Sequence, residues 1–352
     1  MNGFDTLIVK NVEELTHSSR RVEFIIPDKI ISKFKFQPGQ YITLRKRFDN
    51  REERRSYSIC SSSNEPIAIG VKRVEGGLFS NYIFNELKPG MSLDVMSPNG
   101  RFIQKDEKKF LMVAAGSGIT PIMSIISSNL KYNPSSRFTL IYGNKTTDNI
   151  MFQKELENLK DTFLEKLNII HILSKEFQDV DVLNGRIDEN KIKLLLSRKV
   201  IDLDVDGAFI CGPNSMINNV RNVLLQEGFE KGKIHSEKFY LGSQPISKPE
   251  IKSKSFSKFK ANIEIILDGL RKKFIFENEN SNIVDAAQSN GIDVPFSCKG
   301  GMCCTCRCKI TKGEVTMNAN YSLEDWEINS GFVLACQAVP KSKEVILDFD
   351  AS

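Results

Sequence analysis

The first hundred residues alternate hydrophobic and polar positions in short runs, which is the pattern of half-buried strands. Asp, Pro, Gly and Asn residues separate these runs, and only 78–87 has helical spacing. Several short strands with a single helix predict an antiparallel β-barrel over 1–103. The predicted strands are TLIVK, RVEFIIP, QYITLRKRF, RRSYSICS, PIAIGVKRV and SLDVMSP.

The pattern changes between 104 and 240, where apolar runs alternate with amphipathic segments. The runs KKFLMVAAG, RFTLIYGN, LNIIHILS, GAFICG and KIHSEKF predict buried strands. Helices are predicted near 119–130, 150–163, 188–198 and 214–227. This alternation predicts a doubly wound parallel sheet, which binds its ligand at the carboxyl ends of the strands.

A third module follows a segment with the composition of a linker. Residues 241–260 (LGSQPISKPEIKSKSFSKFK) are rich in Ser, Pro and Lys. NIEIILDGLRKKFIFE then predicts a hairpin that turns at Asp268 and Gly269, and NIVDAAQSNG predicts a short helix. The expected domains are 1–103, 104–240 and 261–352, with a linker over 241–260, in a multidomain α+β and α/β chain.

Composition and charge narrow the class of protein. Of the 352 residues, 40% are hydrophobic and 26% are charged, as in ordinary globular proteins. The net charge of +5 conceals an acidic module, because 261–352 carries nine Lys and Arg against thirteen Asp and Glu. Basic residues are not interleaved with aromatic residues on one predicted helix, so we expect no nucleic-acid partner.

The chain shows no pattern of export or membrane insertion. The N-terminal residues lack the features of a signal peptide, and the uncharged stretch 110–130 is interrupted by Gly116, Gly118 and Pro121. A buried strand, a glycine turn and a helix start explain that stretch better than a membrane span. We expect a cytoplasmic protein without a membrane partner, in which clustered cysteines bind metal or are redox-active.

Five of the eight cysteines lie within eleven residues, at 298, 303, 304, 306 and 308. Cys298, Cys303 and Cys306 have the spacing C-x4-C-x2-C, and Cys336 follows after 29 residues. This is the spacing of a plant-type 2Fe-2S cluster, and thiolates are the ligands that iron–sulfur clusters prefer. A zinc site or a set of core thiols is the alternative, although the paired CxxC units of a zinc knuckle are absent. Cys304 and Cys308 are interpreted as neighbouring strand residues.

CKGGMCCTC, followed by NYSLEDWEINSGFVLACQAVP, resembles the C-terminal ferredoxin domain of the phenylacetyl-CoA epoxidase reductase family. That family is part of the ferredoxin–NADP reductase superfamily, and the resemblance covers the whole chain in the same module order. It implies a flavin-binding barrel, a nicotinamide domain and a β-grasp ferredoxin domain. It also implies that the chain passes electrons from NADPH through FAD and the cluster to a diiron oxygenase.

RSYS resembles the R-x-Y-S flavin motif of this superfamily. By that resemblance Arg55 neutralises pyrophosphate, Tyr57 lies against the isoalloxazine, and Ser58 bonds its edge near N5. EGGLFSN, with Gly77 and Ser80, opens the barrel's only predicted helix and offers N–H groups to a phosphate. The alternative is an ordinary barrel strand and an ordinary turn. No G-x-G-x-x-G occurs, which argues against an FAD site of the glutathione-reductase type.

AGSGITP follows a buried strand and opens a helix, so Gly116 and Gly118 permit the close approach of a dinucleotide. In the superfamily this turn faces both the nicotinamide and the flavin, with Thr120 near the reacting rings. CGP resembles a further family motif and implies that Cys211 lies near the nicotinamide. The alternative is that Cys211 is a small buried core residue.

The choice between NADPH and NADH depends on groups beside the adenine ribose. Lys145 and the hydroxyls that follow it could receive a 2′-phosphate, and no carboxylate lies within 142–147. We therefore expect NADPH, although lysine replaces the arginine usual in the family and lacks its bidentate geometry. By resemblance, Phe239 lies near the flavin and Glu237 near the site of hydride transfer, or both are ordinary strand residues. The three histidines lie outside any motif.

Three cofactor motifs together indicate a reductase, because FAD can accept a hydride and release its electrons singly to a 2Fe-2S cluster. The residues expected to take part in catalysis are Ser58, Thr120, Cys211 and Glu237. A reductase of the same architecture could instead serve a ring-hydroxylating dioxygenase, an acyl-CoA desaturase or a hybrid-cluster protein. The alternative of a different class is a redox sensor without turnover.

Overall fold

A computed structural model describes residues 3–49, 51–239, 260–277 and 282–351. The chain divides into two compact units. The larger unit comprises the described residues between 4 and 239 except 54–56, and the smaller contains the C-terminal residues from 260 onward. Each unit has its own hydrophobic core.

The larger unit begins with a six-stranded antiparallel sheet in the order β4-β3-β6-β1-β2-β5. An antiparallel bridge between Ile59 and Ile69 joins the end of β4 to β5, so the sheet closes on itself as a barrel. Alternate residues of its strands point inward, which explains the period of two in the sequence. Its elements are β1 (Phe4–Thr16), β2 (Ser19–Ile25), β3 (Tyr41–Phe48), β4 (Arg51–Ser58), β5 (Ala68–Lys72), α1 (Leu78–Asn85) and β6 (Ser92–Asn99).

A five-stranded parallel sheet follows, in the order β11-β10-β7-β8-β9. Hydrophobic clusters cover both of its faces, because the crossover helices pack on either side. Its elements are β7 (Lys109–Ala115), α2 (Ile119–Tyr132), β8 (Arg137–Asn144), α3 (Gln153–Thr162), β9 (Leu167–Leu173), α4 (Glu189–Ser197), β10 (Gly207–Gly212), α5 (Asn214–Gln226) and β11 (Ile234–Lys238). The order places the ends of β7 and β10 side by side.

The smaller unit is a five-stranded mixed sheet, in the order β13-β12-β18-β14-β16, with a separate two-stranded ribbon of β15 and β17. The predicted hairpin forms, and both Asp268 and Gly269 have positive φ, as its two-residue turn requires. The elements are β12 (Lys260–Leu267), β13 (Leu270–Glu277), α6 (Ile283–Ser289), β14 (Arg307–Lys312), β15 (Val315–Met317), α7 (Asp325–Asn329), β16 (Phe332–Leu334), β17 (Ala338–Pro340) and β18 (Glu344–Asp348).

The predicted fold class is confirmed: a barrel, a doubly wound parallel sheet and a C-terminal ferredoxin-type sheet occur in this order. The uncharged stretch 110–130 is the strand β7, a turn and the helix α2, as expected. In the part of the chain that the structure describes, no helix combines the length and the apolar character that crossing a bilayer requires. The predicted linker lies outside the described residues except for Lys260, with which β12 begins.

Candidate functional site

The glycine turn after β7 lies directly against the end of β10. A Cβ atom on Gly118 would lie 2.2 Å from the carbonyl oxygen of Cys211, so no other residue fits there. Gly116 has a φ of +54°, in the left-handed region that favours glycine. The turn therefore has a fixed shape and lacks side chains at Gly116 and Gly118, as the close approach of a dinucleotide requires.

Thr120 closes this turn from the first residues of α2. Its hydroxyl donates a hydrogen bond to the Ser117 carbonyl at 3.0 Å, and its side chain is 1% exposed. Helix α2 has 14 residues, and no side chain caps its N-terminus. The Ile119 N–H is bonded within the turn, to the Gly116 carbonyl, so the turn at 116–118 continues directly into the helix. The positive end of the helix dipole therefore lies at this turn, where it favours an anionic nucleotide.

Three of the predicted catalytic residues lie together beside this turn. Cys211 of β10 and Glu237 of β11 are register partners in adjacent parallel strands. The Ser58 hydroxyl, at the end of β4, lies 3.3 Å from a carboxylate oxygen of Glu237. Ser58 and Glu237 are 179 positions apart in the chain, and the fold brings them into contact.

The surroundings of Glu237 and Cys211 favour the neutral carboxylic acid and the neutral thiol. Burial raises the pKa of Glu237 to about 7, although the hydrogen bond from Ser58 opposes part of that shift. Burial, and then the Glu237 charge, raise the pKa of the Cys211 thiol well above its usual value. Cys211 therefore remains a protonated thiol near neutral pH, and Glu237 can exchange a proton there.

Phe239 follows β11 and packs against the hydrophobic cluster that contains Cys211 and Ile119. Its backbone N–H donates to the Gly212 carbonyl at 3.3 Å. This interaction extends the end of the sheet by one residue and places Phe239 two positions beyond Glu237. Its ring therefore lies at the carboxyl edge where the other predicted residues meet.

The predicted flavin residues lie on β4 and at the start of α1. Arg55 is exposed on β4 and donates to the Arg54 carbonyl at 2.7 Å. The half-buried Tyr57 ring lies 6.2 Å from the ring of Phe79, between centroids. Ser80 is engaged within its own turn, since its hydroxyl contacts the Val74 N–H at 3.2 Å and the Gly77 carbonyl at 3.3 Å.

The turn before α1 fits a phosphate of FAD. A Cβ on Gly77 would lie 2.7 Å from the Ser80 oxygen, so the backbone here is a cradle that a larger residue would fill. No side chain caps α1, and its first N–H groups remain available to a diphosphate. Ser80 therefore shapes this cradle through its contacts within the turn.

Lys72 is a functional candidate that the sequence analysis missed. It ends β5, and its ammonium would lie 3.8 Å from a Cβ built on Gly116, so it borders the nucleotide-binding turn. Burial lowers the pKa of Lys72, and the nearby charge of Lys145 lowers it further. Two cations thus lie near one another beside the turn, a placement suited to a phosphate-bearing ligand. A lysine at the end of a strand carries no sequence signal for this role.

The pairing of β14 with β16 brings two of the predicted cluster ligands together. Cys306 immediately precedes β14, Cys336 follows β16, and Arg307 is the register partner of Leu334. The Ala335 N–H donates to the Cys306 carbonyl at 3.0 Å and continues the ladder toward Cys336. Pairing between strands therefore compensates for the long separation of these cysteines in the sequence.

The four predicted thiols form two pairs. Cys298 and Cys303 are side-chain hydrogen-bond partners, and so are Cys306 and Cys336. Electrostatic interactions link Cys298 with Cys336 and Cys303 with Cys306, so the pairs face one another. In the described residues no group of three or more His, Cys, Asp and Glu side chains is arranged to hold a single metal ion. Two facing pairs fit a cluster of two irons, each with two thiolates.

The loop that carries Cys298 and Cys303 is shaped around sulfur. Lys299 and Gly301 have positive φ, and the Gly300 N–H points at the Cys298 sulfur from 3.3 Å. The Lys299 ammonium is held by Asp285 and by Gln288, each at 2.7 Å. Backbone N–H groups directed at sulfur stabilise thiolate ligands, so this loop fits an iron–sulfur cluster.

The two remaining cysteines of the motif differ from each other. Cys308 lies in β14 and is buried, as expected of a strand residue. Cys304 is not a strand residue: it lies in the loop before β14 with a φ of +55°. The tight loop between Cys303 and Cys306 imposes that conformation.

Family models match all three modules. Residues 6–103 match an oxidoreductase FAD-binding domain, 112–222 an oxidoreductase NAD-binding domain, and 265–341 a 2Fe-2S iron-sulfur cluster binding domain. The chain is 38% identical over 356 residues to a subunit of the 1,2-phenylacetyl-CoA epoxidase of Escherichia coli K12, covering 100% of this chain and 99% of that protein.

The chain belongs to the family of FAD- and 2Fe-2S-dependent oxygenase reductase components.

A second relative of this reductase is the ferredoxin reductase component of the 3-ketosteroid-9-alpha-monooxygenase of Rhodococcus rhodochrous. The two chains are 30% identical, over 97% of the reductase and 96% of that protein. Among solved structures, phthalate dioxygenase reductase matches 99% of the chain and 98% of its own length, at 22% identity and a TM-score of 0.60, which supports the fold.

The predicted resemblance and the predicted enzyme class are confirmed by these comparisons. The reductase is an NAD(P)H-dependent electron-transfer oxidoreductase with FAD, pyridine-nucleotide and 2Fe-2S domains. The roles of its individual site residues remain predictions, which the contacts described above support.

Proposed function

We propose that the reductase passes electrons from NADPH through FAD and a 2Fe-2S cluster to the diiron oxygenase component of a phenylacetyl-CoA epoxidase. The observation that carries this proposal is the presence, in one chain, of two sites suited to successive steps. The contact between Ser58 and Glu237 beside the glycine turn suits hydride transfer. The two facing thiol pairs suit a one-electron carrier.

When bound, FAD accepts a hydride from the nicotinamide and releases its two electrons singly, which the cluster can accept one at a time. The chain's own residues provide binding and position. The glycine turn at 116–118 and the positive end of the α2 dipole bind the nucleotide, while Thr120 keeps the turn closed. Ser58 and Glu237 hold a proton between their side chains at the edge where the two ring systems meet.

NADPH is the proposed donor because of the cations beside the turn. Lys145 follows β8 and lies near Lys72, and two cations favour the additional phosphate of NADPH over the bare ribose of NADH. Lys145 is exposed, so its ammonium is accessible to a ligand that approaches from solvent.

The proposed acceptor rests on identity over the full chain. The Escherichia coli epoxidase component is 38% identical, and the 3-ketosteroid monooxygenase component is 30% identical, with similar coverage. We therefore favour the epoxidase over another oxygenase.

We also propose domain boundaries near 103, 240 and 260, and a cytoplasmic location, where cluster thiols remain reduced.

Reconstitution tests this function. The purified reductase, loaded with FAD and cluster, is mixed with the oxygenase component of the epoxidase, NADPH and phenylacetyl-CoA. We expect NADPH oxidation coupled to consumption of phenylacetyl-CoA, with NADH supporting a lower kcat/KM. Reduction of ferricyanide without reduction of the epoxidase would contradict the proposed acceptor but retain the reductase. Equal kcat/KM with both nucleotides would contradict the proposed donor.

A further inference from the structure

Gly70 of β5 lies where three elements of the larger unit meet. A Cβ atom on Gly70 would lie 2.6 Å from Thr120 Cγ2, 2.9 Å from Phe152 Cζ and 3.3 Å from Met151 Cε. Side chains do not sustain contacts below about 3 Å, so even a methyl group would displace a neighbour. Gly70 lies in a regular strand, so glycine is required here for space and not for backbone conformation.

The corner formed by Met151 and Phe152 is rigid. Phe152 has a φ of +60°, which bulky residues avoid, and its side chain is 2% exposed. The buried Tyr142 hydroxyl lies 3.1 Å from the Gly116 carbonyl and 3.4 Å from the Met151 carbonyl. The corner is therefore joined to the same glycine turn that Thr120 closes.

Thr120 connects this corner to the nucleotide-binding turn. Its hydroxyl bonds the Ser117 carbonyl, and its methyl group faces Gly70. Two residues further along β5, on the same face of the strand, Lys72 borders Gly116. Strand β5 of the barrel thus runs along the turn, and its closest approach to Thr120 is at Gly70.

We propose that Gly70 is a positioning residue for hydride transfer. The absence of a side chain at Gly70 sets the distance between the flavin-binding barrel and the nucleotide-binding turn. This inference rests on the proposed function, because the distance it sets is the one that the hydride crosses. In that step the C4–H bond of the nicotinamide breaks with both electrons, an N–H bond forms at flavin N5, the nucleotide is oxidised and the flavin is reduced.

Stopped-flow reduction of the FAD-loaded protein under anaerobic conditions tests the inference. We expect Gly70→Ala to lower the limiting rate of flavin reduction about tenfold, since small displacements strongly affect transfer between held reactants. The Kd of the nucleotide should change less than about twofold, because its binding groups are retained. The deuterium isotope effect with NADPH labelled at C4 should rise.

Gly232→Ala is the matched control, because a Cβ there meets nothing closer than the Glu230 carboxylate at 3.8 Å. Thr120→Ser removes the methyl group nearest to Gly70. In a double-mutant cycle it should therefore restore part of the rate lost in Gly70→Ala, relative to its own effect alone. If Gly70→Ala does not fold, the double variant Gly70→Ala with Phe152→Leu is measured instead, because leucine lacks the ring atom that the added methyl group would meet at 2.9 Å. In the double variant, the contact with Thr120 remains, and we expect the same separation of rate from Kd.

The outcomes distinguish failure of the role of Gly70 from failure of the proposed function. A limiting rate and isotope effect in Gly70→Ala equal to those of Gly232→Ala would overturn the inference. So would a loss that lies entirely in the nucleotide Kd. If the unaltered protein is reduced by neither NADPH nor NADH, the proposed function itself fails.

Discussion

The Ser58 hydroxyl and the Glu237 carboxylate lie 3.3 Å apart, in a contact between the flavin-binding barrel and the parallel sheet. Glu237 is also the register partner of Cys211 across two parallel strands. A carboxyl in this position is partly withdrawn from water while it accepts a hydrogen bond. Its protonation therefore responds to pH in the neutral range and affects the stability of the folded protein.

We expect Glu237→Gln to change the dependence of stability on pH. Burial raises the pKa of Glu237 from 4.5 to about 7, so the folded protein favours the neutral acid. Stability from this group is thus present below pH 4.5 and is lost as the pH rises toward 7. The Tm of Glu237→Gln should rise relative to that of the unaltered protein across this interval and then level off. If the Tm of Glu237→Gln and that of the unaltered protein change in parallel with pH, the prediction is contradicted. The same holds if the exposed control Glu230→Gln shows the rise expected of Glu237→Gln.

Substitution of the two lysines beside the turn should separate their roles. Lys145→Gln should weaken NADP⁺ binding about tenfold and leave NAD⁺ binding within about twofold, since one charge-assisted bond to the 2′-phosphate is lost. Lys72→Gln should weaken both nucleotides, because it borders the turn itself. Calorimetric titration measures each Kd, and Lys175→Gln, at an exposed neighbouring position, is the control. Equal losses for NADP⁺ and NAD⁺ in Lys145→Gln would refute the assigned role.

Loss of one cluster ligand should interrupt the second half of electron transfer only. We expect Cys298→Ser to retain FAD and to reduce ferricyanide with NADPH at close to the normal rate. Its reduction of a one-electron protein acceptor should fall more than about a hundredfold, because the cluster requires four thiolates. Iron analysis should give two irons per chain in Cys304→Ser and fewer in Cys298→Ser. Two irons in both variants would show that the ligand set is wrong.

A buried ion pair holds α7 on the C-terminal sheet. Arg307 Nε lies 2.8 Å from a carboxylate oxygen of Glu327, which is 0% exposed, and the guanidinium lies 3.4 Å over the Phe332 ring. Glu327→Ala leaves this cation without its partner and should lower the unfolding free energy of the module by about 3 kcal/mol. Urea titration followed by the loss of cluster absorbance measures this unfolding free energy. Glu344→Gln, in an exposed pair with Lys312, should behave as the unaltered protein does. Equal midpoints for all three proteins would show that the buried pair contributes nothing.

Local chemistry made most of the elements predictable. The strand RFTLIYGN is observed as β8 over the same residues, because a continuous apolar run between turn residues has few other solutions. The glycine turn at 116–118 and the Asp268-Gly269 hairpin were predicted from backbone requirements that few other residues meet. The short strands after the cysteines had no such signal, since Val315–Met317 and Phe332–Leu334 are too short to display a period.

Contacts between segments that are distant in the sequence were harder to predict. The cysteine spacing indicated the cluster, because thiolate ligands have a fixed geometry. Lys72 was missed because its significance arises only when β5 is laid along a turn more than forty positions away. Gly70 was missed for the same reason: a glycine needed for space alone has no positive φ and no turn motif to mark it.

Two cysteines in the larger unit have a practical consequence. Cys60 and Cys211 are both buried, and burial raises the pKa of the Cys60 thiol to about 12 and that of Cys211 well above its usual value. Since the thiolate is the nucleophile, neither reacts readily with an alkylating reagent in the folded protein. In protein stripped of iron, maleimide labelling is therefore confined to the cysteines of the smaller unit. The extent of labelling then counts the chains that lack a cluster, without measurement of any electron-transfer activity.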